Sequence, residues 1–170
     1  MDFQKLIRQR YSVRAYRGDP VPTAVLDRVL EAALLAPTAC NRQAFRIIVI
    51  KTAEREADLR RVYRQPWFVQ APLVVAVVGL PGENWKRSDG HNYYDVDCAI
   101  VMDHLILAAA DEGLGTCWIG AFDPAAAREV LGLPAGAEPV AFTPLGLPAD
   151  EPRPKKRKAL GELVRYGKWA

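Results

Sequence analysis

Residues 93–112 carry an apolar helical pattern with little polar face: Cys98, Ile100, Val101, Met102, Leu105, Ile106, Leu107 and Ala108 to Ala110 fall within it. A helix of that kind must be buried on most sides. In a chain of 170 residues it therefore occupies either the centre of the domain or a subunit interface. A chain of this length suits a single domain over residues 1–170 with a real core.

The rest of the chain is read around that helix. Residues 2–9 form a short amphipathic helix with Phe3, Leu6 and Ile7 on one face. Pro20 and Pro22 break the chain, and Thr23 is placed to cap a second helix that runs to Ala36. Residues 45–50 read as a short buried strand, and residues 72–79 as a second. Thr52 is placed to cap a charged surface helix through Arg64. Residues 81–92 form a long polar loop, open to two readings: a functional lid or a surface excursion. Gly113 suits a left-handed cap. Asp123 caps a helix to Leu131, with Pro124 at its first position. Residues 139–146 are a last strand, and Pro144 puts it at a sheet edge. Residues 151–158 are basic and proline-rich. Leu160, Leu163, Val164, Tyr166 and Trp169 follow them, so the tail is expected to dock.

Composition excludes several classes. Half of the residues are hydrophobic, which rules out a disordered chain. A net charge of +3 is too weak to imply a nucleic-acid partner. The basic run Arg153 to Lys158 lacks the interleaved aromatics of a nucleic-acid binder. Cys40, Cys98 and Cys117 show no CxxC spacing and read as free thiols. Cys98 and His104 lack the four-ligand spacing of structural zinc, so no metal is expected. Residues 1–10 have no apolar signal core, and no run reaches the roughly 18 apolar residues of a membrane span. A cytoplasmic location is the expectation.

Two stretches carry candidate chemistry. Arg10-Tyr11-Ser12-Val13-Arg14 sets two guanidiniums and a hydroxyl side by side, a composition suited to phosphate. A solvated basic turn would read the same. Thr38, Asn41 and Gln43 lie on a tight connection between helix and strand, where short polar side chains can meet a planar ligand or bond only local backbone. The glycines at 113, 115 and 120 do not make GxGxxG, which disfavours a Rossmann site. Gly120 is instead placed to bring a main-chain N–H close to a flat ligand.

Four blocks in order, RYSVR, APTACNRQAF, DVDCAIVMDHLILAAADEGLGTCWIG, and KKRK after LGLPADEPRP, resemble the nitroreductase-like flavoprotein family over nearly the whole chain. The resemblance implies an α+β fold, a mainly antiparallel sheet surrounded by helices, in an intertwined homodimer. It implies FMN at the subunit interface and a tail, about residues 150–170, docked on the partner. Carried over by position, Arg10, Ser12 and Arg14, with Tyr11 between them, would hold the FMN phosphate, ribityl chain and ring edge. Lys155 and Arg157 would complete the phosphate site. Thr38 and Asn41 would reach the flavin from the partner, within a stretch that includes Pro37, Ala39 and Gln43. Trp118, Ile119 and Gly120 would lie by the ring, with the Gly120 N–H near N5.

The implied activity is ping-pong hydride transfer from NADH or NADPH, through FMN, to a small electron-poor acceptor such as a nitroaromatic or quinone. No catalytic side chain is expected, since the flavin carries the chemistry. A non-catalytic FMN-storage module, or another flavin chemistry such as reductive dehalogenation, remains open on the same fold. Two departures stand out. Ala44 occupies a position where the family often has proline, and the inserted helices of longer members are missing or reduced to residues 81–92.

Overall fold

In the computed structural model, which describes residues 2–169, four strands form one antiparallel sheet. In chain order the elements are α1 (Phe3–Gln9), α2 (Thr23–Leu34), β1 (Phe45–Lys51), α3 (Thr52–Val62), β2 (Leu73–Gly79), α4 (Tyr94–Asp111), β3 (Gly115–Thr116), α5 (Pro124–Leu131), β4 (Glu138–Gly146) and α6 (Leu160–Leu163). The strand order is β1-β2-β4-β3.

β2 explains the layering. All its residues from Val74 to Gly79 are buried. Side chains alternate across a strand, so Val75 and Val77 join one core cluster while Val74 and Ala76 join another. The first cluster fills the space beneath α2 and α4 with Val29, Ala33, Val101, Met102 and Leu105. The second sits under α3 and α5 with Leu59, Val62, Phe68, Ala127 and Val130. Phe68 and Phe142 meet edge to face within it. Fully burying a side chain of this size stabilises by about 1.5–3 kcal/mol. The α+β fold expected from the sequence is the fold observed.

α4 takes the central one of the two places its composition allowed. Cys98, Val101, Met102, Leu105, Ile106 and Ala109 form its buried face, and Asp97 is buried with them. The opposite face is open, with Val96 38% exposed. Gly113 takes a φ of 77° just past the helix, and Leu114 N–H bonds the carbonyl of Ala109. Asp123 accepts the Ala126 N–H as α5 starts at Pro124. Among the described residues no helix is long and apolar enough to cross a membrane.

Four expectations need correction. Thr23 and Thr52 are first helical residues rather than caps: the caps are Pro22 and Lys51, and neither helix has a side-chain cap. Thr52 Oγ1 is instead buried without a hydrogen-bond partner. β1 is an edge strand with only Phe45 and Ile50 buried, so its β-branched run marks a half-covered face. β4, despite Pro144, lies between β2 and β3. Phe142 exchanges both main-chain bonds with Ile119, at 2.8 and 3.0 Å. Pro144, two residues on, faces the same side. Opposite it Cys117 N–H turns to Thr143 Oγ1, so no bond needs the donor proline lacks.

Candidate functional site: a cationic cleft and a strained turn

After α1 the chain runs extended along the sheet end. Ser12 bridges Thr116, Val13 N–H bonds the Thr116 carbonyl at 2.9 Å, and Tyr16 bridges Pro148. Alternation then sorts the side chains. Val13, 1% exposed, packs inward, while the side chains on either side of it, Ser12 and Arg14, are more open. A Cβ on Gly115 would lie 2.8 Å from Val13 Cγ2, so this close approach requires glycine. The strap brings Arg10, Tyr11, Ser12 and Arg14 to the rim of an open cleft of about 520 Å³.

The tail supplies the other wall, with Arg153, Lys155 and Arg157. Lys155 Nζ donates to the carbonyls of Ile7 and Arg8, at 2.7 and 2.6 Å, at the end of α1. It thereby caps that helix and complements its dipole. Burial holds the Lys155 ammonium below its ordinary range, and the charges of Arg10 and Arg157 push the same way. Among the described residues, no ion pair engages Arg10, Arg14, Lys155 or Arg157 with a carboxylate side chain. Cations gathered from two segments and bonded to main-chain carbonyls rather than to carboxylate side chains suit a multivalent anion. Arg14 also lies over the Trp67 ring, 5.9 Å from its centroid.

The second candidate stretch is elsewhere. Thr38 leads into a single 3₁₀ turn, Ala39–Asn41. Cys40, Asn41 and Gln43 have φ of 51°, 53° and 51°, a left-handed conformation that, of these three residue types, asparagine adopts most readily. Two side chains accept hydrogen bonds from the turn, beside its own main-chain bonds. Gln43 N–H donates to Thr38 Oγ1 at 3.1 Å, and Ala39 N–H donates to both oxygens of Asp97. Thr38 thus performs local turn chemistry, while Pro37, Asn41 and Gln43 are exposed. None of these residues lines the cationic cleft of the same chain.

The third stretch alternates too. Trp118 and Gly120 are exposed, while Cys117 and Ile119 are buried. Nothing lies within 4 Å of where a Gly120 Cβ would stand, so no steric demand within this chain calls for glycine there. Ile119 packs in the core and spends both main-chain groups on Phe142, which leaves it no free donor. Arg153 and Asp150 also line the cleft and were not among the residues expected to hold FMN. For Arg153 the signal was its place in the basic run. For Asp150 there was none, because its partners lie 136 and 139 residues away.

A model of the nitroreductase family matches residues 7–64 and 53–147. The chain belongs to the nitroreductase family. A nitroreductase-family protein of known structure from Clostridium difficile 630 is 35% identical, with a TM-score of 0.92 over 99% of this chain and 100% of that one. A protein called NADH dehydrogenase from Thermus thermophilus is 30% identical across 98% of this chain and 96% of its own. The FMN reductase [NAD(P)H] of Bacillus subtilis is 29% identical over 90% of this chain and 68% of its own length.

Proposed function

We propose that this nitroreductase-family chain is a single FMN-binding domain, that it acts as a homodimer, and that it is an NAD(P)H-dependent oxidoreductase. The observation that carries the reading is the cleft between the 10–14 strap and the tail, whose cations form no ion pair among the described residues. It suits a phosphate dianion, and relatives from this family include an FMN reductase. Bound FMN would supply two-electron chemistry, taking hydride from NADH or NADPH and giving it, in a ping-pong cycle, to a small electron-poor acceptor such as a nitroaromatic or quinone.

The residues of the chain then divide the work. Arg10, Ser12, Arg14 and Arg157 bind the phosphate and ribityl end. Lys155 adds charge while it anchors the end of α1. Thr38, Asn41 and Gln43, which lie outside this chain's own cleft, complete the site of the partner subunit. Trp118 and the main chain at Gly120 face the ring and offer it a donor. The exposed Leu160, Leu163, Tyr166 and Trp169 dock on the partner. The free thiols favour a reducing, cytoplasmic setting.

The test is the absorption spectrum of freshly purified protein, followed by anaerobic mixing with NADH and with NADPH. A flavin spectrum that bleaches with either donor supports the reading. Yellow protein that neither donor bleaches supports a storage module instead, and colourless protein that takes up no added FMN overturns it.

A further inference from the structure

Two acids, Asp150 and Glu151, line the cationic cleft, and Asp150 bonds the strap. Asp150 Oδ2 accepts the Arg14 N–H at 2.8 Å. Its Oδ1 accepts the Tyr11 hydroxyl at 3.3 Å, and its main-chain oxygen accepts the same hydroxyl at 2.6 Å. Asp150 is also where two segments part. Before it, Arg17 N–H bonds Leu147 and Ala149 N–H bonds Ala15, a short run of pairing between strap and tail root. Beyond it the tail turns away and presents Lys155 and Arg157.

Electrostatics alone would exclude an acid here. A carboxylate within a few ångströms of a bound phosphate opposes it, so the group must contribute through geometry. We propose that Asp150 is a positioning residue for the flavin phosphate: it clasps the 10–14 strap to the tail root so that cations from both segments face one cleft. The clasp fixes Tyr11 and Arg14, and with them Arg10 and Ser12, before the anion arrives. Preorganisation of that kind raises affinity by cutting the ordering that binding would otherwise require. This inference rests on the flavin reading above.

The two contributions have opposite signs, which makes them separable. Flavin-free protein is titrated with FMN, and separately with riboflavin, which lacks the phosphate. Quenching of flavin fluorescence gives the affinity. Asp150→Ala loses the carboxylate's bonds to Arg14 and Tyr11 and the negative charge together, keeping only the main-chain bond to Tyr11, and is expected to bind FMN at least about tenfold more weakly, as for a lost bond to a charged group. Asp150→Asn keeps one side-chain acceptor, which can take the Arg14 N–H, while the main-chain oxygen of residue 150 still accepts the Tyr11 hydroxyl; without the charge it is expected to bind as tightly as wild type or more tightly. Riboflavin affinity should change less in both.

Hydrogen exchange in flavin-free Asp150→Ala should show lost protection at residues 11–15, which the Asn variant retains. Asp150→Ala binding FMN as well as or better than wild type overturns the proposal, and so does Asp150→Asn as weak as Ala. Should the Ala variant fail to fold, Tyr11→Phe decides: an FMN affinity about threefold or more below wild type supports the clasp, and an unchanged one overturns it. Wild type that binds no FMN overturns the flavin reading itself.

Discussion

Asp97, in the first turn of α4, accepts the Ala39 N–H with both carboxylate oxygens at 3.1 Å. The contact joins the central helix to a turn 58 residues away in sequence. Asp97 is only 4% exposed, so its loss would strand a donor beside apolar neighbours.

Asp97→Ala should therefore cost about 1.5–3 kcal/mol. At roughly 2–4 °C per kcal/mol for a chain of this size, the melting temperature falls by several degrees. Thermal melting of flavin-free protein checks this. An unchanged midpoint would mean that the turn holds itself.

Arg157→Ala should weaken FMN binding by about 10- to 150-fold, as expected for a lost charge-assisted contact of about 1.5–3 kcal/mol. The rate of flavin reduction in saturated protein should hardly change. Equilibrium dialysis measures the first quantity and anaerobic stopped flow the second. Retention of FMN equal to wild type would remove Arg157 from the phosphate site.

Thr143 is fully buried, accepts the Cys117 N–H at 3.0 Å and donates to the Pro144 carbonyl at 2.8 Å. Thr143→Val keeps the shape and leaves the Cys117 N–H without a partner. A loss of about 1–3 kcal/mol follows, read as a lower urea midpoint with an unchanged slope.

The three thiols should differ sharply in reactivity. Cys40 is exposed, whereas Cys98 and Cys117 are buried. Burial, helped by Asp97 and Asp95, pushes the Cys98 thiol up to about 12 from 9.0. Burial raises Cys117 too, although Arg14 works against it. The thiolate is the reactive form, so a thiol reagent at neutral pH should label one cysteine in folded protein. The linkage has a definite sign. An unfolded Cys98 gives up its proton at the lower pH, so its share of stability is intact below about 9 and fades toward about 12. Labelling of Cys98 should appear only over that alkaline window, and the raised, buried Cys117 should also resist the reagent at neutral pH. Fast labelling of three thiols at pH 7 would contradict the packing.

Removal of residues 160–170 should lower both dimer stability and bound flavin. Each large apolar side chain that docks contributes about 1.5–3 kcal/mol. On a single chain Tyr166 and Trp169 are 88% and 91% exposed, so the truncation removes little internal packing. Sedimentation read at protein and flavin wavelengths compares the two proteins. A truncated form that still sediments as a dimer with full flavin would contradict docking of the tail.

Local signals were legible in the sequence, and long-range ones were not. Asp123 announced its helix because the cap, Pro124 and the N–H it binds lie within four residues. The RYSVR strap was legible because its chemistry is contiguous. Thr23 and Thr52 misled because the cap shifts by one residue when an extended Pro22 or Lys51 precedes the helix. The edge position of β1 and the inner position of β4 depend on which strands pair, and local hydrophobicity does not record that. Asp150 and Asp97 read as ordinary polar residues because their partners are distant in sequence.

The left-handed residues Cys40, Asn41 and Gln43 have one more consequence. Folding already meets the energetic cost of holding them, of order 1 kcal/mol or more for a residue other than glycine. A ligand that bound at this turn would meet a shape already settled, with little conformational freedom left to surrender. Association at this turn should then be limited by encounter rather than by rearrangement, and its rate should track ligand concentration linearly.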